Sequence, residues 1–338
     1  MYDDNINASS ENKEDDFITT FMIGMGINHE SRTQSLQFLG HINQQIYFKH
    51  FDLSNNSQDL SVNYSNEITA YDSLHIGNIF NHHPETQTFE DSLGRTPGRH
   101  GYYSNTSNIR YTKLVIRQLS FDTHYSYSFT KHSSEEEMDS YSHSTGITTG
   151  YLWNATNSSF LSYNYIYTEY ETEESNSEHT ANIGHNYMFS RRLSTSCHAG
   201  IVYIKTSDDN SYSPSVSVSI RDEIDENNII VASILKQRNT SAHTDEVSDD
   251  WRISGNFTRE ISRDISYSFA IFYGQSETSP SNTTNKLFGA ITSFTYIITE
   301  NVNSAISYTL TRSITEEEGA SDSRYFRNQV QLSLSGEF

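Results

Sequence analysis

The feature that most constrains this chain is an alternation of apolar and polar side chains with period two, which belongs to strands and not to helices. At the C-terminus Val330, Leu332, Leu334, Gly336 and Phe338 share one parity, opposite Gln331, Ser333, Ser335 and Glu337. Tyr267, Phe269, Ile271 and Tyr273 alternate in the same way with Ser266, Ser268, Ala270 and Phe272. Val216, Val218 and Ile220 face away from Ser215, Ser217 and Ser219, and Ile306, Tyr308 and Leu310 from Ser307 and Thr309. Phe121, Tyr125, Tyr127 and Phe129 stand opposite Asp122, His124, Ser126 and Ser128. Most of the chain repeats the pattern.

Composition decides what such strands can build. Only 34% of the residues are hydrophobic and the formal net charge is −21, a combination that also occurs in disordered chains. Disordered chains are poor in aromatic residues, however, and this one has 23 Tyr, 18 Phe and 2 Trp. Elements with one apolar face each account for both facts. No run approaches the ~20 apolar residues of a membrane helix. A β-sandwich alternates too, but a meander of this length would need a large two-sided core. Here the polar parity is mostly Ser, Thr, Asn and Gln, with few long charges at mid-strand. That suits a hydrated lumen, while the Tyr, Phe, Ile and Leu parity suits lipid. With helices excluded, a closed barrel is the structure that satisfies the backbone in hydrocarbon.

The connections alternate between two kinds. Short ones fall at Ala70-Tyr71-Asp72, Arg117-Gln118, Ser190-Arg191-Arg192, Ser262-Arg263-Asp264 and Thr299-Glu300-Asn301. Longer, acidic ones fall at 11–16, 133–139, 171–178, 207–210, 238–250 and 316–322. Short periplasmic turns and long external loops are the pattern of an outer-membrane barrel. Counting back from the C-terminus places strands near 321–338, 301–314, 284–297, 264–276, 249–262, 227–238, 211–222, 194–206 and 178–190. The others fall near 158–170, 139–152, 119–131, 101–116, 73–82, 58–70, 35–51, 16–30 and 2–9. The expected fold is therefore all-β: residues 1–338 form a single antiparallel transmembrane β-barrel of about eighteen strands, with about sixteen as the alternative. The start, Tyr2-Asp3-Asp4, has neither a basic region nor an apolar core of a signal peptide, so a mature or shortened form is expected.

The residues Tyr2-Asp3-Asp4-Asn5-Ile6 and Glu14-Asp15-Asp16-Phe17-Ile18-Thr19-Thr20 resemble the start of the bacterial β-barrel porin 2 family. Phe89-Glu90-Asp91-Ser92-Leu93-Gly94-Arg95, with Gly98-Arg99 and Tyr102-Tyr103-Ser104-Asn105-Thr106, is similar to an internal segment of the same group. With the terminal Phe338, the resemblance spans essentially the whole chain, apart from the leader expected ahead of it. It implies an outer-membrane location in a Gram-negative cell and, since some similar proteins are associated with exopolysaccharide loci, a role in polysaccharide export.

Candidate sites are few. The connection 83–101 brings Arg95, Arg99 and His100 together in an otherwise acidic set of loops. Folded into the pore mouth, these would favour anionic solutes; the alternative is a solvated loop with turn-forming Gly and Pro. Phe338 resembles the terminal aromatic signal for barrel insertion. Glu135-Glu136-Glu137 and Glu316-Glu317-Glu318 offer hard oxygen ligands but no EF-hand spacing, and charge runs are usually solvated. The 14 histidines show no paired-ligand spacing, and His82-His83 on a strand would point to opposite sides. Lone Cys197 forms no intrachain disulfide. No metal or cofactor is expected, and no catalytic residue, because a chain rich in Ser, Asp and His yields chance pairings. Expected partners are outer-membrane lipid and lipopolysaccharide, the barrel-assembly machinery and polysaccharide-export components, with no nucleic acid. The expected function is a porin or export channel with a water-filled pore, passive or the exit for a polymer. The alternative is a structural or partner-scaffolding barrel with acidic external loops.

Overall fold

The computed structural model describes residues 1–8, 13–83, 101–133, 138–171, 175–206, 210–240, 247–279, 282–317 and 322–337. These residues form eighteen strands in one antiparallel sheet. In chain order they are β1 (Tyr2–Asp3), β2 (Asp16–Glu30), β3 (Gln34–Tyr47), β4 (Asn55–Glu67), β5 (Asp72–His83) and β6 (Tyr102–Ile116). There follow β7 (Leu119–His132), β8 (Ser140–Asn154), β9 (Asn157–Tyr170), β10 (Ser175–Met188), β11 (Leu193–Lys205) and β12 (Asn210–Asp225). The last six are β13 (Asn228–Thr240), β14 (Val247–Glu260), β15 (Ile265–Ser279), β16 (Thr283–Thr299), β17 (Val302–Glu317) and β18 (Ser323–Gly336). Each strand from β2 to β17 pairs with the next, and β1 pairs with both β18 and β2, which closes the ring.

The connections 31–33, 117–118, 155–156, 226–227 and 300–301 lie together at one end. The longer connections, among them 48–54 and 133–139, lie at the other. Two places depart from the alternation. The strand expected near 2–9 has only two residues, after which the chain leaves the wall. The strand expected near 35–51 ends at Tyr47, followed by a 3₁₀ turn at Phe51–Leu53. The cause is Asp16, whose buried carboxylate accepts the backbone N–H groups of Phe48 (3.0 Å), Lys49 (3.0 Å) and His50 (2.9 Å). Three amides turned toward one carboxylate cannot continue a ladder.

Directly paired residues share a face, so the register sorts the whole wall. Leu332 pairs with Ile306, Ile306 with Phe294, Phe294 with Tyr267, and Tyr267 with Arg259. Phe269, Ile271 and Leu334 therefore lie on the same face as Leu332, while Ser268 and Ser333 lie on the other, as the sequence parity requires. Strand residues with the least exposure, among them Ile18, Tyr47, Tyr170, Ser213, Asp250, Ser276 and Ser313, belong to the Ser/Thr/Asn face near the long-loop end. This is the concave, inner face.

The outer face carries two aromatic bands. Near the long loops Tyr203 stacks on Tyr212 (4.6 Å) and Trp251 meets Tyr273 edge-on (5.2 Å). Near the short turns Tyr187 meets Phe189 (4.6 Å), Tyr151 meets Trp153 (4.6 Å) and Tyr267 meets Phe294 (4.7 Å). Tyr187 pairs with Thr195 of β11. From that level to Tyr203 is about eight residues, or ~26 Å along the strand. On strands tilted by about 40° this is an apolar zone roughly 20 Å tall between two girdles, the arrangement of a membrane barrel.

Candidate pore lining and mouth

The inner wall is small and neutral over long arcs. β12 presents Ser213, Ser215, Ser217 and Ser219 to it, and β10 presents Thr180, Asn182 and Asn186. Large inner side chains are laid against the wall. The Phe160 ring covers Gly184, its paired residue on β10, so closely that a Cβ there would come within 2.2 Å of it. Phe272 covers Gly289 in the same way, again at 2.2 Å. Arg252 lies over the Phe272 ring at 4.6 Å. These rings occupy the place of missing side chains and leave the lumen clear.

The inner wall of β4 to β7 carries a set of paired charged and imidazole groups. Asp59 receives His83 (3.1 Å), Ser65 meets His75 (2.8 Å), and Asp122 holds Thr112 (2.8 Å) and Arg110 (3.5 Å). His124 reaches across β8 to Asn164 (3.2 Å). His82 instead stacks on Tyr103 (4.3 Å) on the outer face, so the adjacent histidines point to opposite sides, as alternation demands.

The mouth is built by residues from both chain ends. Asp3, fully buried, accepts Arg327 Nε and Nη2 at 2.9 and 2.6 Å and Gln329 Nε2 at 3.0 Å. Asp4 holds the Asn328 backbone N–H and side-chain amide, both at 2.6 Å. Asn5 Nδ2 donates to the Phe326 carbonyl at 3.1 Å. Beyond these anchors the chain folds over the inner wall: Ile6 packs on Ile18 and Tyr47, and Ala8 against the Leu287–Tyr325 cluster. Residues 4–8 thus line one side of the mouth, along β15 to β3. Nearby, the Asp15 carboxylate holds the exposed Lys49 ammonium at 2.5 Å and raises its pKa. Deeper on the same arc Asp250 Oδ1, Ser276 Oγ and Ser313 Oγ are buried with no hydrogen-bond partner among the described residues.

Of the residues singled out from the sequence, Arg95, Arg99 and His100 lie outside the described residues, as do Phe338, Glu135-Glu136-Glu137 and Glu318. Glu316 is engaged by Lys286 at 2.6 Å. The Asp3–Arg327 pair was not visible in the sequence, because its members are 324 residues apart and each looks like an ordinary strand charge.

No family model and no curated protein matches the sequence. Its fold does match solved outer-membrane β-barrel transporters. The iron transporter FrpB of Neisseria meningitidis superposes with a TM-score of 0.59 over 89% of this chain and 61% of its own length, at 8% identity. FpvA of P. aeruginosa, bound to a heterologous pyoverdine–iron complex, gives 0.57 over 94% and 57%, at 8% identity. The copper transporter OprC gives 0.55 over 93% and 70%, at 10% identity. The chain spans about three fifths of the length of the first of these. The likeness is one of fold.

Proposed function

We propose that this protein is an outer-membrane transport channel of the porin type, a water-filled pore for hydrated solutes and the exit for an exopolysaccharide. The observation that carries the reading is the two-sided wall. Its outer face is apolar between aromatic girdles, and its inner face is lined by hydroxyl and amide side chains with the bulky rings pressed flat. About eighteen strands enclose a lumen wide enough for water and solutes. Neutral hydrogen-bonding side chains exchange partners with water at little cost, which lets a sugar-like or ionic solute pass without being trapped. On this reading the short turns are periplasmic, the long acidic connections are external, and the girdles meet phospholipid and lipopolysaccharide. The porin 2 resemblance and insertion by the barrel-assembly machinery belong to the same proposal, as does the absence of enzymatic chemistry.

Single-channel recording of the refolded protein in planar bilayers tests it: discrete, voltage-tolerant conductance steps are expected. The second reading, a structural or partner-scaffolding barrel, draws on residues 4–8, which narrow the mouth. Membranes that stay at bare-lipid conductance, with the protein inserted, would favour that reading.

A further inference from the structure

The wall forks between β12 and β13. Their ladder runs from Asp225 and Asn228 at the short-turn end to Val216 and Lys236, and there it stops. Both strands continue beyond it: 210–215 stay paired with β11 and 237–240 with β14, but not with each other. The cause is Pro214. The Glu223 N–H donates to the Arg192 carbonyl at 2.9 Å, so odd-numbered residues of β12 aim their backbone groups at β11 and even-numbered ones at β13. The next hydrogen-bonded rung after Val216 and Lys236 would join Pro214 to Arg238, and proline has no N–H to give it.

Above the fork the two edges overlap instead of standing side by side. Val202 and Ile204 of β11 and Ser213 and Ser215 of β12 belong to the inner face, yet they are only 0–6% exposed. Lower on the same face of β12, Ser217 and Ser219 are half-exposed. Residues of β14 lie on the buried four, and they come from the parity of that strand that faces lipid farther down, where Trp251 meets Tyr273. Val247 packs on Val202 and Ile204. The Asp249 carboxylate accepts the Ser213 hydroxyl at 2.6 Å and Arg238 Nη1 at 3.3 Å. An outward parity resting on an inward one means that the upper arms of β13 and β14 are tucked inside β11 and β12.

Two arrangements therefore compete. The overlap is held by Arg238, Asp249 and Ser213 as a latch and by the Val247 contact. It leaves the seam-side backbone groups of Tyr212 and Arg238 without ladder partners among the described residues. Unrolled, the same register would pair Tyr212 with Thr240 and let the Pro214 carbonyl accept the Arg238 N–H, at the loss of the latch. Side-chain bonds are exchanged for backbone bonds of similar strength, and Pro214 withholds the one that would tip the balance toward the complete ladder. We infer that the β12–β13 seam is a gate at the pore mouth, overlapped and latched in this structure and unrolling to widen the mouth. The inference rests on the reading of the barrel as a transport channel. In an unrolled wall Ser213 and Asp249 stand two strand spacings apart, so unrolling adds about 10 Å to the rim and roughly 3 Å to its diameter. A chain of sugar rings gains more from that width than a small ion does.

Overlap and conductance are measured separately. In a Cys197→Ser background, which removes the chain's one native thiol, Val202→Cys and Val247→Cys place two thiols across the overlap. Their oxidation in membranes is followed by mass spectrometry of the digested barrel. Rapid disulfide formation is expected, and roughly tenfold slower formation with Pro214→Val added, because the restored N–H favours the unrolled ladder. In planar bilayers the oxidised pair should hold a smaller, steady conductance that rises on reduction. Asp249→Ala and Pro214→Val should each favour the larger level. Failure of the two thiols to join would overturn the overlap, and equal rates with and without Pro214→Val would overturn the hinge. Equal conductance before and after reduction would overturn the gate. A protein that inserts and never conducts, while its thiols behave as expected, would sink the channel reading and the gate together and leave the hinge standing.

Discussion

Ile271 offers the sharpest test of which face meets lipid. It sits mid-strand on the outer face, paired with Gly255 on β14 and Ala290 on β16. Both neighbours are small, so an arginine there meets no steric obstacle and the measured cost is that of a charge in hydrocarbon. For arginine near the bilayer midplane that cost is about 2–4 kcal/mol, equivalent to roughly a 30- to 700-fold fall in the folding constant. The control is Ser268, three residues away on the inner face, paired with Thr258 and Ser293. Ser268→Arg projects its guanidinium into lumen water and is expected to stay within about 0.5 kcal/mol of the parent. Reversible denaturant titration in phosphatidylcholine vesicles, followed by the fluorescence of Trp153 and Trp251, reads both variants against the parent. Equal penalties for Ile271→Arg and Ser268→Arg would refute the assigned facing and the membrane reading with it.

Three further outcomes are expected. Deleting Phe338 should sharply lower the yield of heat-modifiable barrel in the membrane while leaving synthesis intact; normal barrel levels would remove its role as an assembly signal. Asp3→Ala leaves the Arg327 guanidinium without its carboxylate in a nearly closed setting, a loss of about 3–5 kcal/mol for a buried pair. It should free residues 4–8 from the mouth and raise single-channel conductance, whereas unchanged conductance would place that segment outside the permeation path. The double variant Arg95→Ser, Arg99→Ser should shift the reversal potential under a salt gradient toward cations, most visibly at low salt; an unshifted potential would exclude those arginines from the mouth.

The strands were legible in the sequence because a wall between lipid and water imposes one demand at every second residue. Turns were legible because the chain has to reverse where alternation breaks, as at Arg117-Gln118. What alternation could not show is competition from contacts distant in sequence. Asn5, Ile6 and Asn7 continue the strand pattern, yet Asp3 and Asp4 are held by Arg327 and Asn328 and the chain turns over the mouth. Lys49 and His50 look like the end of a strand until Asp16 collects their amides. Both departures depend on carboxylates whose partners lie on other elements, and a carboxylate near a strand end reads as solvated from its own neighbours. The arc of inner charge on β4 to β7 was hidden for a related reason: each strand contributes only one or two members.

The phenylalanines laid over glycines have a consequence for assembly as well as for pore width. A ring can lie flat on the facing strand only where that strand has no Cβ. Sliding β9 by two residues would set Phe160 against Asn182 or Asn186, and sliding β15 would set Phe272 against Leu287 or Ile291. Either slip preserves every apolar–polar alternation, so the membrane itself does not oppose it. The glycine does. Phe160 with Gly184 and Phe272 with Gly289 therefore act as keys that fit one position only, fixing the alignment of two hairpins before the ring has closed around them.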